Sequence, residues 1–580
     1  VSGWPAGFEP DILILGGGSA GCVLAARLSE DASLRVLLVE AGRDLTAETM
    51  PPEIRSRYPG RAYLDTGNIW KTLTAFMGAP GGNRDERQPR RYEQARLLGG
   101  GSAINALMAN RGAPADYDEW AALGAMGWDW DACLPFFRKL ETDRDFRGPL
   151  HGQDGPMLVR RARSEQISPF VRAVMRALEE TGTPRGEDQN GPWRDGVFVG
   201  ALAANDQGER LPTSIAYLTP AVRARPNLAI LTGHIAERLL FEGTRAVGAR
   251  IAPTEGGPAR EVCARQTVLC SGAIHTPALL LRSGVGPAPD IAAQGLPVVA
   301  HLPGVGRNLM EHPSIAVSAI LPAAARAPDR AEHHEQAIWR FSSQLPGTPE
   351  GDMHGAILSR SGWHSVGWRI GTIFFWVNKS YSRGALQLAS PDPRAEPKVD
   401  FRMLSDGRDL ERLKLALRRG AEILGHPSLR SHVSHVFPTS YSPRVASIAL
   451  PGAWNSLQRG VLSAALDTAG RHTGALVHRL VTRNVTLDGL LADDAALTGF
   501  IQRSVGGTWH PSGTCRMGGE DDPMAVTSSD GTVRGVTGLR VCDASLMPSI
   551  PCANTNVPTI MIAERIAEMM RAASGLSAPS

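Results

Sequence analysis

The stretch DILILGGGSAGCVLAARLSEDASLRVLLVEAG, residues 11–42, constrains the fold more than any other part of the chain. An apolar run from Ile12 to Leu15 leads into Gly16-x-Gly18-x-x-Gly21, with Ser19 and Ala20 inside the turn. Leu24 and Leu28 then follow at helical spacing, and a second apolar run, Val36 to Val39, ends in Glu40 and Ala41. This order of runs makes a compact β-α-β unit. Glycines at those positions let the backbone turn tightly and approach a pyrophosphate, which rests on the positive end of the helix. Glu40 closes the second strand about 20 residues past the turn, where an acid accepts hydrogen bonds from ribose hydroxyls. The same letters, Gly17-Gly18-Ser19-Ala20-Gly21, also spell the G-x-S-x-G elbow of a nucleophilic serine. An elbow needs several strands before it, whereas this turn follows the first, and it leaves Glu40 unexplained. Dinucleotide binding is the stronger reading.

A chain of 580 residues exceeds what one hydrophobic core supports, so two or more domains are expected. Its 61 basic and 58 acidic residues leave a net charge of +3, with the basic residues scattered singly, so nothing draws it toward nucleic acid. Seven cysteines (22, 133, 263, 270, 515, 542, 552) form no CxxC pair and no zinc-like Cys/His spacing. No metal is expected, and a reducing, cytoplasmic setting suits them. No run approaches the ~18 apolar residues that span a bilayer. The sequence opens on Val1 rather than Met, which leaves a removed export signal open.

Four further stretches carry patterns. ARLLGGGSAINALMANRG (95–112) holds the turn Gly99-Gly100-Gly101-Ser102 and then Asn105. SGAIHTPALLLRSGVG (271–286) follows an apolar strand around Val268, and PGVGRNLMEHP (303–313) is a glycine turn with an Asn and a His. GLRVCDASLMPSIPCANTNVPTIMIAERIAEMM (538–570) closes the set. In this order and spacing, together with the opening turn, they resemble the glucose–methanol–choline (GMC) oxidoreductases, which use FAD. The likeness runs from about residue 10 to 572. It implies an α/β, Rossmann-like FAD domain built from 1–155, 228–312 and 500–580. An α+β substrate domain with an antiparallel sheet would come from 156–227 and 313–499. The sequence supports the second part independently: residues 409–424 have apolar groups at helical spacing, and 384–390 alternate like a half-buried strand.

The resemblance places FAD contacts on Gly16, Gly18, Ser19, Ala20, Gly21, Glu40 and Ala41, and on Gly100, Gly101, Ser102, Asn105, Asp543, Asn554 and Thr555. Asp543 follows the apolar run 539–541, where it would meet the ribityl chain or pyrophosphate; capping the next turn is a compatible role. Pro558 sits just inside the last helix, whose positive end would face the flavin's pyrimidine ring. The catalytic base implied is His510, in TWHPSGTCRMG (508–518), with Asn554 as its partner 44 residues later. Alcohol oxidation needs a base for the hydroxyl proton and an acceptor for the α-hydrogen as hydride. An imidazole with an unperturbed pKa near 6.5 suits the first of these. A carboxamide binds the substrate oxygen without taking a proton, which leaves His510 as the sole base.

Some family members bind FAD covalently through a histidine in the first glycine turn. Here that neighbourhood reads Ala103-Ile104-Asn105, so dissociable FAD is expected. Trp509, Phe374 and Trp376 are the expected pocket rings, favouring a flat aromatic or furanic primary alcohol. The sequence places no carboxylate beside the base, which disfavours a quaternary ammonium substrate. O₂ is the expected electron acceptor and a quinone the alternative. Related scaffolds that cleave cyanohydrins without redox turnover give a rival reading as a lyase. Oligomeric state is not legible.

Overall fold

The computed structural model describes residues 7–81, 87–439 and 447–573. At its centre lies a five-stranded parallel sheet of β1 (Ile12–Leu15), β2 (Val36–Glu40), β3 (Leu228–Thr232), β4 (Gln266–Leu269) and β5 (Leu539–Val541), in the order β5-β4-β1-β2-β3. Every residue of β1 and β2 is buried, which is why these strands read as unbroken apolar runs rather than alternating ones. In register, Leu15 lies beside Val39 and Leu269, so the carboxyl ends of the strands share one edge. Open α/β sheets bind ligands at that edge.

Helices cover this sheet: α1 (Ser19–Leu28), α2 (Gly272–Arg282) and, at the far end of the chain, α4 (Asn556–Ala573). A side-chain carbon on Gly21 would lie 1.9 Å from the Gly16 carbonyl oxygen, so the third glycine of the turn is what lets α1 pack on β1. The Arg27 guanidinium on α1 meets the fully buried Glu564 carboxylate on α4 at 2.8 Å, and the Tyr217 hydroxyl donates to the same carboxylate at 2.9 Å. First and last helices are thereby tied together.

The second large sheet has six antiparallel strands, in the order His435–Thr439, Ser314–Ile320, Ile370–Val377, Met353–Leu358, Glu335–Phe341 and Gly196–Val199. α3 (Gly407–Leu424) packs on its back, close enough that a side chain on Gly420 would strike the Phe375 ring at 2.6 Å. α3 begins two residues before the periodicity predicts, because the Asp406 side chain caps it at the Arg408 N–H. The strand expected over 384–390 shortens to Ala385–Gln387 and joins a four-stranded sheet with Lys398–Met403, Thr74–Gly78 and Arg90–Arg91. Among the described residues no helix is long and apolar enough to cross a membrane.

Candidate active site

Two glycine turns face each other at the carboxyl edge of the parallel sheet. Gly16 has φ +111°, Gly99 +95° and Gly100 +51°. A side chain on Gly100 would come within 2.6 Å of the Gly18 Cα, whereas one on Gly101 would meet open space. α1 starts at Ser19 with no side-chain cap, so its first N–H groups point into the space between the turns. Buried Glu40 accepts from Gly17 N–H at 2.8 Å and Gly42 N–H at 2.7 Å, bracing the turn while keeping further lone pairs. Burial pushes its carboxyl up, and those two donors oppose the shift. Uncapped helix end, close backbone approach and a buried acid together fit a dinucleotide such as FAD.

The remaining expected contacts differ in what they are free to do. Ser19 Oγ donates to Asn556 Oδ1 at 2.7 Å, pinning the start of α1 to the start of α4. Ala20 is buried and Ala41 half-buried. Ser102 turns its hydroxyl to the protein: it donates to Gly99 O at 2.5 Å and accepts from Thr213 N–H at 3.0 Å. Asn105 Oδ1 accepts from Leu107 N–H at 3.0 Å and Arg210 at 2.9 Å. Asp543 acts as the cap. It accepts from Ser545 N–H at 2.8 Å, Gly272 N–H at 2.9 Å and Thr276 Oγ1 at 2.6 Å, tying β5 to α2. Thr555 is buried just before α4, and Pro558 falls in that helix's first turn, where a missing N–H costs nothing.

His510 is buried at a meeting point of three loops. Its Nδ1 lies 2.9 Å from His312 Nδ1 and 2.7 Å from Thr508 Oγ1, and its Nε2 lies 3.2 Å from Asn554 Nδ2. The protons follow from the partners. His312 Nε2 faces the Pro551 carbonyl at 3.1 Å, which only accepts, so His312 carries its proton there and its Nδ1 is a bare acceptor. The Nδ1–H of His510 donates to it, and the lone pair at Nε2 meets the Asn554 amide. Beneath the imidazole, the Glu311 carboxylate accepts from Tyr92 Oη, from His312 N–H at 2.8 Å, from Thr508 Oγ1 at 3.0 Å and from His510 N–H at 2.9 Å.

Two expectations change here. Burial, with His312 and His354 adding to it, holds His510 well below the ordinary histidine range rather than near 6.5. A carboxylate does stand beside the base, contrary to the sequence reading. Both of its oxygens, however, already accept hydrogen bonds from the protein. Glu311, Thr508 and His354 were missed in the sequence, and the His of residues 303–313 was noted without a role. The available signals were the acid–histidine pair at 311–312 and a hydroxyl two residues before the base.

The three expected rings do not form one wall. Trp376 is buried and stacks on His354, centroids 3.8 Å apart with 13° between planes; half-buried Phe374 lies 5.8 Å from it. Trp509 has φ +62° and is 48% exposed, its Nε1–H donating to Glu93 at 3.1 Å.

Comparison with known proteins adds to this geometry. The family described as GMC oxidoreductase matches in two parts, residues 10–314 and 380–563. The chain is 42% identical to a 5-(hydroxymethyl)furfural oxidase of Methylovorus sp. (strain MP688), covering 96% of this chain and 98% of that one. It is 33% identical to an oxygen-dependent choline dehydrogenase of Stenotrophomonas maltophilia, covering 98% and 96%. Among solved structures, pyridoxine 4-oxidase from Mesorbium loti superposes with a TM-score of 0.80 at 29% identity, covering 97% and 99%.

Proposed function

The chain belongs to the GMC oxidoreductase family, and from that premise we propose that it oxidises a primary alcohol, aromatic or furanic, to the aldehyde, with FAD held at the paired glycine turns. The observation that carries this reading is the tautomer of His510, whose lone pair at Nε2 stands beside the Asn554 amide. A substrate hydroxyl between these two groups gives its proton to Nε2, while Asn554 orients the oxygen and cannot compete for the proton. The charge gained is stabilised at Nδ1–H, which donates to His312, with Thr508 Oγ1 at 2.7 Å and the Glu311 carboxylate behind it. His312 keeps the ring in this orientation. Bound FAD supplies the acceptor for the α-hydrogen, which leaves as hydride with the two electrons of the C–H bond.

We assign the flavin to segments 1–155, 228–312 and 500–580 and the alcohol to 156–227 and 313–499. The parallel and antiparallel sheets draw their strands from those two sets, although the four-stranded sheet crosses between them. FAD is non-covalent in this reading, since residues 103–105 contain no histidine, and acid precipitation should leave the flavin in solution. O₂ is the acceptor we favour, in keeping with the oxidase of 42% identity; a quinone-linked or choline-type dehydrogenase is the second reading, in keeping with the choline relative. Six of the seven unpaired cysteines are buried, which supports a reducing, cytoplasmic setting.

The test is anaerobic mixing of the FAD-loaded protein with benzyl alcohol. Flavin bleaching is expected, followed by peroxide on admitting air; a lyase would leave the flavin oxidised. His510→Ala should slow bleaching by roughly 10²–10⁴-fold, the usual weight of general-base catalysis. Bleaching at the unmodified rate would remove the base assignment.

A further inference from the structure

Helix Ala453–Thr468 packs by Leu466 on Ile320 and Phe437, at one edge of the antiparallel sheet. Arg459 and Ser463 hold it from inside: Arg459 donates to Ile448 O at 2.7 Å and Leu450 O at 2.8 Å, and Ser463 donates to Ser365 Oγ at 2.9 Å. The outer face is apolar and open to solvent. Leu450 is 50% exposed, Trp454 67%, Leu457 57% and Val461 64%. From Leu450 to Leu466 the one charged residue is Arg459, and it is buried. The helix is 16 residues long, so an uncharged outer face about 24 Å in length lies on a chain in which 21% of residues are charged.

That face has relief. At helical spacing, Trp454, Leu457 and Val461 form a ridge, and exposed Ala453, Ser456, Gly460 and Ala464 form a groove of small residues beside it. A side-chain carbon on Gly460 would meet nothing within 4 Å, so no packing inside this chain calls for glycine there. Glycine weakens a helix interior relative to alanine, and what it gains here is a groove shallow enough for another helix to approach closely.

We propose that this face docks on the same face of a second copy of the chain, about a two-fold axis, with each ridge seated in the other's groove. A two-fold contact uses one patch twice, so the patch must complement itself, as a ridge lying beside a groove does. The area suits a pair. The four large residues expose roughly 450 Å² of apolar surface, a size at which patches on single chains mark interaction sites. Doubled, and with the small residues added, the contact buries roughly 1,000–1,200 Å², the lower bound for specific association. The pair should therefore be reversible, formed by chains already folded, because the bonds of Arg459 and Ser463 hold the helix without a partner. A lipid surface suits the face less: helices that lie on membranes carry a fringe of Lys and Arg, and residues 450–466 offer none outward.

The test is sedimentation equilibrium of the FAD-loaded full chain from about 0.1 to 100 µM, a range that brackets a micromolar Kd. The mass should rise from one chain to two. Val461→Glu places a charge on the ridge and Gly460→Leu fills the groove; each should sediment as one chain throughout. Met126→Glu, at an exposed apolar residue elsewhere on the surface, should pair as the unmodified protein does. A single-chain mass for the unmodified protein at every concentration overturns the proposal without recourse to a variant. Pairing of Val461→Glu and Gly460→Leu at the unmodified midpoint overturns it as well, by placing the contact elsewhere. Capture of single chains by phosphatidylcholine vesicles, lost in Val461→Glu, would overturn it in favour of a membrane.

Discussion

At the scale of single residues, the site works by fixing where one lone pair points. His510 has three polar neighbours, and only one arrangement of protons satisfies all of them, the one that leaves Nε2 bare. Trp509 contributes through its backbone: a bulky residue at φ +62° costs about 1–2 kcal/mol, and it directly precedes the base whose N–H reaches Glu311. The pH dependence follows from burial. In the proposed reaction the working form of His510 is unprotonated, and burial holds its proton affinity well below the ordinary value of 6.5. Activity should therefore persist as pH falls through 6.5 and be lost only well below it. A kcat/KM profile with its acid limb centred at 6.5 would contradict this.

At the scale of elements, the cradle depends on glycine in each turn for separate reasons. Gly21 admits the helix to the strand, whereas Gly100 admits one turn to the other. Gly100→Ala adds about 1–2 kcal/mol of backbone strain at φ +51°, besides the overlap with Gly18. Purified Gly100→Ala protein should carry little flavin, read as visible absorbance per chain; full occupancy would argue against the cradle. A different element reverses the usual pattern of inside and outside. Helix Ala453–Thr468 exposes Trp454, Leu457 and Val461, while Arg459 and Ser463 face inward. Arg459 donates to Ile448 O at 2.7 Å and Leu450 O at 2.8 Å, and Ser463 to Ser365 Oγ at 2.9 Å. Leu457→Gln should thus change stability by no more than about 0.5 kcal/mol, whereas Arg459→Met should cost about 1–3 kcal/mol. Thermal denaturation of the two variants decides the order.

At the scale of the whole molecule, a buried ionic network joins segments that the sequence suggested belong to different domains. His151 Nε2 lies 2.9 Å from Asp188, and its Nδ1 lies 3.2 Å from Asp143 and 3.3 Å from Glu141; Arg161 bridges Asp143 and Asp188. Burial alone would lower His151, but the surrounding carboxylates of Asp143, Asp188 and Glu141 raise it to about 10. A folded pKa above the unfolded 6.5 contributes stability that is complete below 6.5 and is lost as pH rises through about 10. His151→Gln should cost about 3 kcal/mol near neutrality. The Tm gap to the unmodified protein should close as pH passes about 10, and a gap independent of pH would refute the network's role. The order of residues was enough to point to the β-α-β unit and the family, and to single out His510 and Asn554, which the fold brings within 3.2 Å of each other. Those depend on local geometry: a turn needs its glycines, a helix its spacing, a base its residue type. It did not reveal the partners that define what the base can do. Glu311 and His312 lie about 200 residues from His510, and His354 stands near it only because Ser314, Trp376 and His354 share a sheet row. Contact and burial across such separations arise only when the strands pair, so the direction of the lone pair and the lowered pKa of His510 are products of the folded arrangement.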